Sequence, residues 1–331
     1  MKRAVPIAVA LLVAMAVGST LMLVMGVSPG HVWWQMIERV ATSRYEVGQV
    51  LYKATALTLT GLAVSIPLDA GLFNIGGEAM LGAGIFACAL TGAALPQGTP
   101  AAIAIPVCAL AAAAAGAVIG AAIGLLRAKR EAHEVITSIM FNAIVAGVVL
   151  VEGSEHIFVG GTTTGPTIAP GAQLPQLGLG GSSANAAVFI AAGAVALVWW
   201  LRRNTTWGQA WLAVGRDADA ARSAGISVAR VQTYVMTGAG ALAGLAATSF
   251  VMGQKHALEA GLGAGVGIMG IVAALLGRLS PIGVAAASLL LGFLSVGGLA
   301  VGDLVPKELT EMLLGVVLLA VATAAAWERR T

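Results

Sequence analysis

Long apolar runs alternate along this chain with short polar or charged segments. The first run, residues 4–27, follows two basic residues and contains no charged side chain. A run of about 20 apolar residues is long enough to cross the hydrocarbon core of a bilayer as a helix. The pattern predicts a single all-α integral membrane domain, residues 1–331, with about ten transmembrane helices. The predicted spans are residues 4–27, 47–67, a third ending near 95, 101–126, 135–151, 185–201, 233–252, 263–277, 281–301 and 312–327.

The segments between the runs predict the connections. Residues 31–46 are expected to be a polar connection, residues 96–100 (PQGTP) a turn, and residues 127–134 a charged loop. Residues 153–184 are rich in Gly, Thr and Pro and lack Lys and Arg, which favours an external loop. Residues 69–84 carry Asp69, Asn74, Gly76, Gly77 and Glu78 between apolar stretches. They form either a tight turn between spans or a broken helix that lines a polar cavity.

Composition supports a membrane protein and argues against several kinds of chemistry. The chain has 331 residues, of which 58% are hydrophobic and 10% are charged, against about 25% charged in soluble chains. Cys88 and Cys108 lie in apolar runs and indicate no disulfide framework, and the four histidines lack metal-ligand spacing. No Walker motif occurs, so no ATP site of that kind is expected in this chain. The spacing of Gly265, Gly267 and Gly270 is attributed to close helix packing.

The distribution of basic residues predicts the orientation. With the ten spans above, 13 of the 18 Lys and Arg residues fall on one side. Because cytoplasmic loops carry an excess of Lys and Arg, that side is assigned to the cytoplasm. Both termini and residues 202–232 are therefore expected to be cytoplasmic.

The segment from Arg202 to Gln232 is the most strongly charged part of the chain. It carries five arginines. Asp217 and Asp219 suit the N-terminus of a short helix, and Gly225 suits the position just after its end. The segment is interpreted as an amphipathic helix that contacts a soluble partner; an ordinary basic loop is the alternative.

Polar residues within the apolar runs suggest a passage. Glu78 is expected on the same helix face as Asn74, and Asn142 lies in the middle of the fifth span. Ionisable groups in a bilayer usually face a cavity or a partner because exposure to lipid is costly. These three residues could line a path for an uncharged solute. Alternatively, Asn74 and Glu78 serve the helix N-terminus and Asn142 bonds another helix.

Four sequence blocks carry a resemblance to a known family. GLFNIGGEAMLGAGIFA, AHEVITSIMFNAIVAG, VGRDADAARSAGISVARV and ALLGRLSPIGVAAASLLLG occur in this order between about residues 60 and 295. Together they resemble the permease subunits of nucleoside and simple-sugar ABC importers. The chain departs from that pattern at Ala79 and Met80, after Glu78, and at Asp217. Related permeases for branched-chain amino acids share the Gly-Glu pair.

The resemblance implies the rest of the machine. A second permease subunit (a paralogue or a second copy), a tandem ATPase that binds ATP and Mg²⁺, and an extracytoplasmic substrate-binding lipoprotein are expected, in a bacterial inner membrane. This chain would then be a non-enzymatic permease without a cofactor, and would contact lipid but no nucleic acid. The resemblance adds Met140 to Asn74, Glu78 and Asn142 in the path, and assigns ATPase coupling to Gly215, Arg216, Asp217, Ala221, Arg222 and Gly225.

Two other functions remain open at this stage. A branched-chain amino acid permease would use the same machinery for a different solute. An ion-coupled secondary transporter would need an ion or proton site in the membrane, for which Asp69 and Glu78 are the candidates.

Overall fold

A computed structural model describes residues 5–158 and 162–306, with residues 312, 315 and 316. Strands β1 (Thr164–Thr167) and β2 (Ala257–Glu259) form a two-stranded antiparallel sheet. π-Helical turns at Gly153–Ile157 and Thr248–Lys255 follow the sixth and tenth helices, and Pro170–Ala172 is a 3₁₀ turn. The helices are α1 (Val5–Val24), α2 (Pro29–Thr42), α3 (Arg44–Asp69), α4 (Gly77–Ala94), α5 (Ala101–Arg130), α6 (Glu134–Glu152), α7 (Ala187–Asn204), α8 (Thr206–Arg216), α9 (Ala218–Ser223), α10 (Val228–Leu245), α11 (Val266–Leu276) and α12 (Pro281–Ala300).

Helix lengths confirm a mostly helical, multi-pass membrane protein. In the described ranges, seven helices are long and apolar enough to cross a bilayer, or eight if the sharply bent α1–α2 pair, at 116°, is one span. The predicted eighth span, residues 263–277, is wrong as a full crossing. Its helix α11 has 11 residues, so at about 1.5 Å per residue it covers only about half of the hydrocarbon core. The predicted tenth span lies almost entirely outside the described residues, and the count of ten stays a prediction.

Two predicted connections are helical instead. Residues 31–46 were expected to be a polar linker, but α2 buries Val32, Met36 and Val40 along one face at four-residue spacing. That periodicity makes an amphipathic helix. The predicted charged loop at 127–134 shrinks to residues 131–133, because α5 continues to Arg130 and α6 begins at Glu134. Basic residues suit the last turn of α5, since they face the negative end of its dipole.

The core helices form an inverted pair of repeats. Helix α3 packs against α11 and α12, while α10 packs against α4 and α5. The Tyr52 hydroxyl near the start of α3 donates to Gln254 beyond the end of α10, so these two helices run antiparallel. The contacts of α3–α4–α5, called the first repeat, therefore correspond to those of α10–α11–α12, called the second repeat, with the opposite direction. This arrangement is common in transporters.

Glycines bring α5 and α10 into backbone contact. Gly116 and Gly120 on α5 face Gly240 and Met236 on α10, and a Cβ on Gly240 would collide with the carbonyl of Gly116. Gly116 and Gly120, four residues apart, thus form a small-residue face on α5. Such close approach is the usual means of association where lipid provides no hydrophobic driving force.

The bundle has two chemically distinct ends. The α8–α9 end carries α8, α9, the start of α10 and the end of α3. The opposite end, called the strand end, carries β1 and β2. It also carries the hydrogen-bonded side chains of Tyr52, Gln254 and Ser183. Near the C-terminus of α12, Arg39 binds Asp303 at 2.6 Å and donates to the Ala300 carbonyl. This hydrogen bond with Arg39 lowers the pKa of the Asp303 carboxyl.

The α5–α10 contact predicts opposite effects for two glycines on one helix. Gly240→Ala should lower the free energy of unfolding by about 1–3 kcal/mol, because the new methyl group has no room. Gly238→Ala is the matched control, since a Cβ there meets no atom within 4 Å; the better helix propensity of Ala should leave stability unchanged or raise it by up to about 1 kcal/mol. Thermal unfolding in detergent compares the two. Equal melting temperatures would contradict the contact.

Candidate functional site

A cavity of about 280 Å³ lies between α4, α6 and residues 260–264. Most of its lining is apolar and comes from Leu81, Val145, Val149 and Leu262. Glu78 from α4 and Asn142 from α6 supply polar side chains. Two sequence candidates from different helices are thus brought to one cavity.

The N-termini of α4 and α11 meet beside this cavity. A Cβ on Gly77 would lie 3.1 Å from the Gly267 carbonyl oxygen, so the two helix starts are in backbone contact. The first turns of a helix have N–H groups without intrahelical partners, and together they make a positive end. Two such ends inside a membrane domain need acceptors from elsewhere.

Glu78 supplies the acceptor for α11. Its Oε1 accepts a hydrogen bond from the Ile268 N–H at 3.1 Å, and the amides of Gly265 and Gly267 also face the carboxylate. Because Glu78 belongs to the first turn of α4, its charge lies at the positive ends of both helices. The expectation that Glu78 serves a helix dipole holds for α4 and extends to α11, and the same residue lines the cavity.

Asn142 plays the corresponding part for α4. Its Oδ1 accepts from the Ala79 N–H at 2.9 Å, and its Nδ2 donates to the Ile75 carbonyl at 3.1 Å. One carboxamide thereby joins α6 to both sides of the start of α4. The donor and acceptor of an amide are both used, which no apolar residue could reproduce.

Asn74 and Met140 lie away from the cavity. Asn74 precedes α4 and is 0% exposed; its Nδ2 donates to the Ala63 carbonyl and its Oδ1 accepts from the Gly76 N–H. The prediction that it shares a helix face with Glu78 is wrong, because residues 70–76 are not helical. An Asn before two glycines is typical of such a side-chain turn. Met140 is 57% exposed on the outer face of α6.

The loop that closes the cavity, residues 260–264, was not predicted from the sequence. Residues 260–264 lie outside α11, and Gly261, Gly263 and Gly265 all have positive φ angles. Glycine adopts this conformation without steric cost. The alternation of these three glycines with other residues in the sequence was the signal that could have predicted the loop. Close packing does explain the other two glycines of the motif, since Gly267 contacts Gly77 and Gly270 contacts Thr60.

The predicted short helix in the charged segment is present as α9. The Asp217 side chain accepts from the backbone N–H groups of Asp219 and Ala220 at 2.9 and 3.0 Å. Gly225 follows the helix with a φ of +85°. Asp217 therefore acts as an N-cap and Gly225 as the residue after the C-cap. Helix α8, which precedes α9, was not predicted.

Ala221, which was assigned to ATPase coupling, faces the interior of this chain. It is 4% exposed and packs with Val214 and Val228. It is not placed to contact a partner, and the prediction for it is corrected. Gly215 is exposed, and a Cβ there would collide with the Asp69 carbonyl because α8 rests directly on the end of α3. Arg216, Asp217, Arg222 and Gly225 are exposed as well, and the coupling role of all five exposed residues stays a prediction.

A polar groove lies beside α9. Its volume is about 590 Å³, and its lining includes Arg127 and Glu131 from the end of α5 with Arg222 and Gln232. The walls thus come from two parts of the chain that the sequence places about 100 residues apart. Together with the exposed surface of α9, the groove makes the α8–α9 end a polar surface suited to a soluble partner.

Comparisons with known proteins fit this architecture. The chain belongs to the family described as branched-chain amino acid transport system / permease component, and the match covers residues 47–322. It is 33% identical to the glucose ABC transporter permease protein TsgB13 of Haloferax volcanii, over 96% of this chain and 87% of that protein. It is 32% identical to the guanosine ABC transporter permease protein NupP of Bacillus subtilis, over 96% and 92%.

A third relative, the nucleoside ABC transporter permease protein NupB of Lactococcus lactis, is 28% identical over 95% of this chain and 89% of its own length. No solved structure matches the chain. The chain is a permease subunit of an ABC importer, as the order of its sequence blocks predicts.

The bonds of Asn142 predict a stability difference between two neighbours on α6. Asn142→Leu should lower the free energy of unfolding by about 1–3 kcal/mol, because the Ala79 N–H and the Ile75 carbonyl lose their partner. Met140→Leu should stay within about 0.5 kcal/mol, as is usual for exposed positions. Thermal unfolding of both variants measures this. A silent Asn142→Leu would show that the start of α4 does not depend on α6.

Proposed function

We propose that this chain forms the membrane path for a nucleoside or a simple sugar. The observation that carries the proposal is the cavity in which Glu78 and Asn142 stand among apolar side chains. Its volume of about 280 Å³ is near the lower limit of ordinary small-molecule sites, which run from about 300 Å³. The named relatives carry guanosine, nucleosides or glucose.

The polar groups of the cavity favour a neutral solute over an amino acid. A free amino acid brings a carboxylate, which helix N-termini would attract. At this cavity the N–H groups of α11 already face the Glu78 carboxylate, and the Ala79 N–H already bonds Asn142. A second carboxylate would meet a like charge instead of a free positive helix end. Hydroxyl groups can share these acceptors and donors without adding charge.

The proposed assembly adds the parts this chain lacks. A second permease subunit, a tandem ATPase carrying ATP and Mg²⁺, and an extracytoplasmic substrate-binding lipoprotein would complete the importer. ATP hydrolysis then takes place on the ATPase, and this chain is not an enzyme. The proposed ATPase contact consists of the polar groove beside α9 and the exposed residues Gly215, Arg216, Asp217, Arg222 and Gly225.

The proposed topology places the α8–α9 end in the cytoplasm of a bacterium and the strand end outside its inner membrane. Its support is the excess of Lys and Arg assigned to one side. Both chain termini are then cytoplasmic, with ten passes of the chain, of which one combines the loop 260–264 with the short helix α11. In this arrangement the solute enters from the binding protein at the strand end. Closure of the ATPase moves α8 and α9 and alternates the access of the cavity between the two sides of the membrane.

Uptake by the reconstituted complex tests the substrate class. The complex should accumulate labelled guanosine or glucose with ATP, and a complex with a hydrolysis-deficient ATPase subunit should not. Glu78→Gln keeps a carbonyl acceptor but removes the charge, so uptake should fall while the free energy of unfolding drops by only about 0.3–1 kcal/mol. Accumulation of leucine instead of either solute would assign the chain to the amino acid branch.

Labelling of single cysteines tests the orientation. A membrane-impermeant maleimide added to whole cells should modify Thr163→Cys and not Asp219→Cys, because both positions are exposed but lie at opposite ends of the bundle. The parent protein should react little, since Cys88 and Cys108 are buried. Permeabilised cells provide the control, in which both cysteines react. Labelling of Asp219→Cys alone in intact cells would invert the topology.

A further inference from the structure

Helix α11 is held at both ends by side chains from other elements. At its N-terminus the Glu78 carboxylate of α4 accepts from the Ile268 N–H. Just past its C-terminus the Arg202 guanidinium donates to the Leu279 carbonyl at 2.6 Å. An anion thus lies at the positive end of the helix and a cation at the negative end, so both interactions stabilise this position of α11.

Arg202 makes three bonds in two directions. Besides Leu279, its Nη1 lies 3.1 Å from Asp69 Oδ2 and its Nη2 donates to Asp69 Oδ1 at 3.3 Å. The side chains are largely shielded, at 26% exposed for Arg202 and 11% for Asp69. A planar guanidinium can bind a carboxylate through two nitrogens and still donate to a carbonyl. A lysine ammonium has one nitrogen and cannot make these three bonds in the same geometry.

The position of Arg202 along the chain connects α11 to the exposed surface. It stands in the last turn of α7, and α8 begins four residues later at Thr206. Helix α8 in turn rests on Asp69 through Gly215. Any displacement of α8 and α9 therefore reaches Arg202 through covalent geometry and reaches its partner Asp69 through direct contact.

The connections on either side of α11 are suited to a change of position. On the cavity side, Gly261, Gly263 and Gly265 have positive φ angles and carry no Cβ that fixes them. On the other side, Arg278 and Leu279 have φ angles of +54° and +58°, although neither is glycine. Such strained backbone persists only when surrounding contacts hold it. The Arg202 bond to the Leu279 carbonyl is a contact of this kind.

We propose that Arg202 is a positioning residue that transmits movement of α8 and α9 through α11 to the cavity. When α8 shifts, Arg202 pulls on or releases the strained turn at Leu279. Helix α11 then moves as a short rigid rod, and its N-terminus changes its contact with Glu78 and the loop 260–264. The inference rests on the proposed ATPase contact at the α8–α9 end and adds the path by which that contact alters the cavity.

The experiment compares adjacent arginines. Arg202→Ala removes all three bonds, and Arg202→Lys keeps the charge but cannot reach Asp69 with two nitrogens and Leu279 at once. Arg203→Ala is the matched control: Arg203 is exposed and lies over the Trp199 ring at 5.2 Å, with no bond to α11. Each variant is purified as the complete complex through a tag on this chain, with Cys88 and Cys108 replaced by alanine.

Three quantities are measured on each complex: ATP hydrolysis, ATP-driven uptake, and the labelling rate of Ala264→Cys. Ala264 lines the cavity and is exposed. In the parent its labelling rate should differ between the nucleotide-free complex and the complex trapped with Mg-ATP and vanadate. In Arg202→Ala this difference should vanish and uptake should fall by about fivefold or more, with hydrolysis retained. Arg202→Lys should fall between Arg202→Ala and Arg203→Ala, which behaves as the parent.

Each contrary outcome has a distinct meaning. An unchanged Ala264 response and full uptake in Arg202→Ala would overturn the inference. If melting temperature, hydrolysis and uptake all fell in parallel in both Arg202 variants, Arg202 would have only a structural role. That result would overturn the inference as well. No ATP-driven uptake by the parent complex, or no ATPase purified with it, would instead refute the proposed function. If Arg202→Ala does not assemble, Arg202→Lys alone decides, because it keeps a cation beside Asp69.

Discussion

Backbone N–H groups that begin a helix inside a membrane must find an acceptor, and the centre of this protein is built around that constraint. Two helices, α4 and α11, begin at nearly the same place, with Gly77 against Gly267. Inside a bilayer few water molecules can pair with such groups, so each unpaired group is costly. Glu78 and Asn142 remove most of that cost with side chains that also line the cavity. The polar groups that face a solute are therefore the same ones that hold the helices in place.

The two repeats solve this problem differently. The contact between Gly77 and Gly267 places Glu78 of the first repeat opposite Ile268 of the second. The Glu78 carboxylate of the first repeat accepts a hydrogen bond from the second repeat. The start of α4, in the first repeat, instead donates to the Asn142 side chain of α6, which belongs to neither repeat. A fully symmetric pair would bring two carboxylates together, and like charges at this distance disfavour ionisation. The asymmetry leaves one negative charge for two positive helix ends.

The apolar runs predicted most of the long helices because transmembrane length and hydrophobicity are properties of one segment at a time. Asp217 and Gly225 likewise predicted the ends of α9, since capping depends on neighbours in sequence. The half-length of α11 was not predictable this way: the run from residue 263 to 277 is apolar throughout, and only the positive φ angles of its glycines shorten the helix. The pairing of Glu78 with Ile268 spans 190 residues, and the inward direction of Ala221 depends on Val214 and Val228. Contacts of this range follow from packing between repeats, which periodicity within one segment does not encode.

Rigidity and mobility are separated within the bundle by the kind of contact that each helix makes. Between α5 and α10 the backbones touch at successive glycines, so sliding of either helix would bring carbonyls into collision. Such an interface has few alternative arrangements of similar energy. Helix α11 packs on α3, with Gly270 against Thr60. In addition it receives directional bonds at its two ends from Glu78 and Arg202, and its connections contain residues with positive φ. Directional bonds can exchange one partner for another at modest cost, whereas close backbone contacts cannot. In the proposed coupling the α5–α10 pair therefore stays fixed, while the ends of α11 change their bonds to Glu78 and Arg202.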